Sequence, residues 1–211
     1  MGINRRSGSI ARNHEQGEWQ MAAAMKMRST ALHLATCLSL LHFAPSCMAQ
    51  YALLPPPAYS SVAKRKGVPV NVLFAVALQE SAVTLRGQSI PWPWTLNIAG
   101  QARYFSSEAD ACHALRVALT QVPDYRIDAG LTQINLRHQR RFYRHPCDLL
   151  QPQKNLEIAA TILREQYRAG ENWLSAAGRY HRPAGGPIAA RYRHRIAQRM
   201  NQLAVANGSR P

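Results

Sequence analysis

Pro69-Val-Asn-Val-Leu-Phe-Ala-Val-Ala-Leu-Gln-Glu80-Ser81 decides how the rest of this chain is read. Apart from Asn71 and Gln79, the ten residues before Glu80 are apolar. Pro69 suits the first position of a helix, where a missing N–H costs nothing. A helix that is apolar almost all round belongs inside a fold. Glu80 therefore sits at the tail of a buried helix. Burial favours the neutral acid, and the negative end of the helix pushes the same way. A carboxylic acid held neutral near pH 7 is what general acid catalysis requires.

Working outward, Ala52-Leu-Leu-Pro-Pro-Pro-Ala58 reads as an extended lead-in, because consecutive prolines oppose helix. Tyr59 to Lys66 is expected to form a short helix stopped by Gly67. Pro91-Trp-Pro-Trp94 breaks any helix, and Thr95 to Phe105 reads as a small hairpin turning near Ala99-Gly100. Ser107-Glu-Ala-Asp110 resembles a capping box with Asp in place of Glu, opening a helix through about Val122. A short strand is expected over Tyr125 to Asp128 and a helix over Leu156 to Arg168 capped by Asn155. Trp173 to His181 and a basic Ile188 to Ala204 are read as the last two helices, with a tail over 205–211. The expectation is one α+β domain over 59–204, predominantly α-helical with a small β-hairpin element.

The chain has 211 residues and a formal charge of +15, which points to anionic partners. Lys26 and Arg28 precede a mainly apolar run, Ala31 to Ala44, followed by Pro45-Ser-Cys-Met-Ala49. That is the pattern of a signal peptide cleaved after Ala49, and it predicts an exported, periplasmic protein with no stable membrane span once the signal is removed. A buried amphipathic helix is the alternative for this run. Residues 1–49 hold 5 of the 26 basic and 2 of the 11 acidic residues, so the remainder keeps 21 − 9, or +12. Charge alone allows nucleic acid as a partner. The export signal and the lack of a helix-turn-helix, zinc or RNA-binding motif argue against it. Cys112 and Cys147 lie beyond the signal, an even pair in an exported chain, which favours a disulfide over two buried thiols. No cysteine or histidine spacing suggests a metal site, and no cofactor motif is present.

Three segments carry a resemblance. Ala77-Leu-Gln-Glu80-Ser81, Gly130-Leu-Thr-Gln-Ile-Asn135 and Ala176-Ala-Gly-Arg-Tyr180-His181 fall in the order and spacing of an "ES", a "GLMQIN" and an "A-x-x-x-Y-N" motif. Together they make the chain, over about Tyr59 to Met200, resemble the soluble lytic transglycosylase domain of the lysozyme-like superfamily. Pro-Trp-Pro-Trp-Thr-Leu-Asn97 and Gly-Arg-Tyr-His-x-Pro183 are similar to exported members associated with conjugation and type IV secretion systems. The resemblance implies a lysozyme-like fold acting on peptidoglycan glycan strands without a cofactor. It implies that Glu80 protonates the glycosidic oxygen between N-acetylmuramic acid and N-acetylglucosamine. The same residue then takes the proton of the muramyl C6 hydroxyl, which closes a 1,6-anhydro ring. No water is consumed, so one carboxyl group suffices, unlike the usual pair in glycosidases.

The remaining motif residues are expected to bind substrate. Ser81 either hydrogen-bonds the sugar, orients Glu80 or simply ends the helix. Gln133 and Asn135 offer amides that do not titrate, suited to N-acetyl groups or to holding Glu80. Thr132 stands where the family has Met and is read as a substrate-wall contact. Tyr180 either donates to Glu80, stacks on a sugar or packs in the core. Asp128 is read as shaping the turn before Gly130 rather than as a second catalytic carboxylate. Trp92, Trp94 and Trp173 are candidates for stacking on sugars or for packing.

Overall fold

The structure, a computed structural model, describes residues 53–208. The expected signal segment lies outside the described residues. Pro57–Lys66 forms helix α1, stopped by Gly67 with φ +63°. The helix begins earlier than expected because Pro57 tolerates the first helical position. Val70–Ser81 forms α2, with Pro69 immediately before it. Every residue from Val72 to Leu78 is buried. At about 1.5–3 kcal/mol for each large apolar side chain buried, α2 is the helix around which the others organise. Tyr59 of α1 meets Phe74 edge-on at 4.9 Å.

After α2 comes a two-stranded ribbon that the sequence reading missed. Strands β1 (Ala82–Leu85) and β2 (Gln88–Pro91) pair antiparallel, Ala82 opposite Pro91. Arg86 and Gly87 turn it with φ of 50° and 77°, the double positive φ that a tight two-residue hairpin demands. The expected hairpin follows as β3 (Thr95–Ile98) and β4 (Gln101–Tyr104), turning at Ala99-Gly100. Helix α3 spans Glu108–Gln121, and the Ser107 hydroxyl accepts from Asp110 N at 3.1 Å as a cap. The Asp110 carboxylate accepts from the Ser106 and Ser107 hydroxyls, so no full capping box forms.

The strand expected at 125–128 is a 3-10 turn, Asp124–Arg126, leading into β5 (Ile127–Ala129). With β6 (Ile134–Asn135) it completes a sheet in the order β4-β3-β5-β6. The register sets Asn97, Asp128 and Asn135 side by side across three strands. Helix α4 spans Pro152–Gln166, α5 Trp173–His181 and α6 Gly186–Gly208, the last running past the expected end at Ala204. Asn155 does not cap α4. It lies in the helix's first turn, fully buried, because the helix starts at Pro152. Helices α1, α4, α5 and α6 all pack on α2. Cys112 of α3 and Cys147 of the 3-10 turn Pro146–Leu150 form a disulfide spanning 35 residues. Among the described residues no helix is long and apolar enough to cross a membrane.

Candidate active site

Glu80 stands in the last turn of α2, where that helix meets the β1–β2 ribbon and α6. It lines a cleft of about 430 Å³ together with Asn97, Asp128, Gln133, Asn135 and Tyr180. Gly100, Ala102, His138, His181 and Pro183 also border it. Burial pushes the Glu80 carboxyl up to about 7, against an ordinary value of 4.5. The Tyr192 hydroxyl donates to Glu80 Oε1 at 2.6 Å and draws the value back down, the nearby Asp128 adds to the rise, and Arg195 opposes it. The result is a carboxyl group poised between its two protonation states near neutrality.

Tyr192 is the functional residue that the sequence reading passed over. It is buried in an otherwise arginine-rich stretch, Arg191-Tyr-Arg-His-Arg195. The signal was its spacing from Ala189 and Ile196, which together make an apolar stripe on α6. His181 lies flat on its ring, centroids 4.4 Å apart and planes within 4°. Burial holds the His181 imidazole below its ordinary range, and Arg195 and Arg182 push the same way.

Tyr180 lines the cleft but does not bond Glu80. Its hydroxyl donates to the Thr132 carbonyl at 2.7 Å. Of the three readings left open for Ser81 the helix-ending one holds, and the expectation for Thr132 is corrected. Ser81 is fully buried, and its hydroxyl donates to the carbonyls of Leu131 (2.6 Å) and Ala77 (3.1 Å). It ties the end of α2 to the segment beginning at Gly130. Thr132 is also fully buried and contacts no cleft: its N–H and hydroxyl both donate to Asn155 Oδ1, at 3.0 and 2.6 Å. The physical reason is common to both. A loop carried through the interior must pair its backbone polar groups, and short hydroxyl side chains serve that end. Asn155 completes the tie by donating to Ala129 O and Leu149 O. Gly130 has φ +82°, and a Cβ there would sit 2.2 Å from Asn155 Nδ2 and 2.3 Å from Leu149 O.

Gln133 and Asn135 do reach the cleft. Gln133 spends its N–H donors on Gly130 O (2.8 Å) and Thr95 O (3.1 Å), which leaves its carbonyl oxygen to face a ligand. Asn135 donates to Asp128 Oδ1 at 2.8 Å, and Asn97 donates to Asp128 Oδ2 at 3.1 Å. Both Asp128 oxygens are thus engaged by neighbours across the sheet. Burial raises the Asp128 carboxyl, and the two amide bonds lower it. None of the three tryptophans lines the cleft. Trp92 donates to Phe105 O at 2.7 Å and meets Trp94 edge-on, while Trp173 stacks on Tyr167 at 4.2 Å.

Residues 58–199 match the family model described as the transglycosylase SLT domain. The chain belongs to the SLT domain family. Neither a curated protein nor a solved structure matches it. The α+β, mainly helical SLT fold is the lysozyme-like one expected, and the matched span nearly coincides with the resemblance read over 59–200. An SLT domain implies peptidoglycan as the substrate and a lytic transglycosylase type of function.

Proposed function

We propose that this SLT domain is an active peptidoglycan lytic transglycosylase with Glu80 as its single acid and base. The observation that carries the reading is the Glu80 carboxyl, enclosed, raised to about 7 and bonded by a phenol. Among the described residues it joins no ion pair that would lock it ionised. In the neutral form it protonates the oxygen between N-acetylmuramic acid and N-acetylglucosamine. Once ionised, it accepts the C6 hydroxyl proton as that oxygen attacks C1, and Tyr192 stabilises the anion between the two steps. Gln133, Asn135 and Tyr180 line the cleft and hold the sugar. The export pattern and the sequence likeness support work in the periplasm, where local wall opening serves a conjugation or type IV secretion apparatus.

Digestion of purified peptidoglycan tests the reading. Mass spectrometry is expected to find anhydromuramyl ends, lost in Glu80→Gln with the fold intact. Reducing muramic ends would instead identify a hydrolase using Asp128, and wall binding without products a non-catalytic binding protein.

A further inference from the structure

Charge changes character after Glu171. From Asn172 to Pro211 the chain holds seven arginines, two histidines and no acidic residue. Ion pairs among the described residues engage Arg65, Arg137, Arg141, Lys154 and Arg179. Arg182, Arg191, Arg193, Arg195 and Arg199 join none of them. Arg193 is packed along α5, its stem against Gly178. Two others lie beside residues that line the cleft. Arg182 is exposed and lies between His181 and Pro183, both of which line it. Arg195 is exposed one turn beyond Tyr192, its guanidinium carbon 5.7 Å from that ring's centre, and its charge acts on both Glu80 and His181. The acids of the cleft do not neutralise them: Asp128 is held by Asn97 and Asn135, and Glu80 by Tyr192.

An unpaired guanidinium at the mouth of a substrate cleft offers its fork of N–H donors to an incoming anion, and carboxylate matches that fork best. Given the peptidoglycan reading above, on which this inference rests, carboxylates enter the cleft on the peptide stems attached to the muramyl sugars. We propose that Arg182 and Arg195 form a carboxylate-binding rim for those stems, so that the enzyme selects peptide-bearing strands over bare ones. A cleft of about 430 Å³ admits sugar rings and not a bilayer or a duplex, so unpaired arginines beside its lining residues are within reach of a bound glycan. Exposed pairs are individually weak, and two of them are expected to give roughly a three- to tenfold preference.

The test measures kcat/KM of the full chain on three soluble strands: peptide-bearing, peptide-bearing with the peptide carboxylates amidated, and peptide-free. The last keeps only the lactyl carboxylate. Wild type is expected to prefer the first strand over the second by roughly three- to tenfold, the difference lying in KM and shrinking as salt is raised. In Arg182→Gln/Arg195→Gln the ratio is expected to fall to about 1 (two rim contacts of the exposed kind). Arg182→Gln alone, at an exposed loop position, is expected to lose part of it, and its melting temperature checks the fold. An active double variant that keeps the wild-type ratio overturns the rim. An equal loss on peptide-free strands assigns the arginines to the lactyl carboxylate and overturns the stem. Lost binding to anionic vesicles or DNA with the ratio intact marks a general basic face and overturns it too. Wild type inactive on all three strands sinks the transglycosylase reading first, and the rim with it.

Discussion

Replacing Glu80 by Gln should make the protein more stable from about neutral pH upward, and not below pH 4.5. The folded chain holds the Glu80 proton up to about pH 7, whereas an unfolded glutamate releases it near 4.5. Between these values the native state binds a proton that the unfolded state has lost, so stability falls as pH rises through the window. At about 1.4 kcal/mol for each pH unit, the rise from 4.5 to about 7 amounts to about 3 kcal/mol. Gln keeps the shape and an oxygen for Tyr192 but cannot ionise. The variant's stability minus that of wild type is therefore expected to be flat below pH 4.5. It should climb by about 3 kcal/mol through the window and level off above it. Burial lowers His181, which makes stability rise with pH, and raises Asp128, which makes it fall. Both groups are present in both chains, so their contributions cancel in the difference. Urea unfolding followed by tryptophan fluorescence, repeated from about pH 4 to about pH 8, reads the difference directly. A difference that stays constant across that range would mean Glu80 titrates as an ordinary carboxylate. The burial argument for a general acid would then fail with it.

Three further outcomes are expected. Tyr192→Phe removes the donor that favours ionised Glu80, so the alkaline limb of the kcat/KM profile should move up by about one pH unit; an unmoved limb would show that the bond is not made in solution. Gly130→Ala should cost about 3 kcal/mol or more in urea unfolding, because φ +82° strains any side chain and the new Cβ meets the Leu149 carbonyl; a loss below about 1 kcal/mol would refute that packing. Reducing Cys112–Cys147, which closes a separation of 35 residues, should lower stability by about 3–4 kcal/mol, seen as a lower urea midpoint in matched oxidised and reduced samples.

The α2 segment was legible because its composition leaves few alternatives: a run apolar on every side, led by proline, has only the core to occupy. The β3–β4 hairpin was legible from Ala99-Gly100, where a tight turn needs positive φ at both positions. The β1–β2 ribbon was not. Its strands are four residues each, and Arg86-Gly87 is a weaker turn signal than Asn-Gly. Nor did local pattern reveal α4's start, since Asn155 suits a cap as well as it suits a buried tie.

The candidate site divides along the same line. Sequence placed Glu80, Gln133, Asn135 and Tyr180 on elements that do meet at one cleft. It misjudged Thr132 because the side of a loop that faces substrate depends on what lies behind it, and behind this loop is Asn155, twenty-three residues away. Tyr192 shows the same limit more sharply. Its bond to Glu80 spans 112 residues, and nothing near either residue announces the other. The depth of the apolar run was enough to argue that Glu80 is hard to ionise. How hard depends on the balance between burial, the phenol and the guanidinium that α6 carries, and the carboxylate on β5. A general acid needs that balance near neutrality rather than the largest possible shift. Its working value is therefore a property of the assembled cleft, and α6, read at first only as a basic helix, supplies the two groups that draw it back toward neutrality.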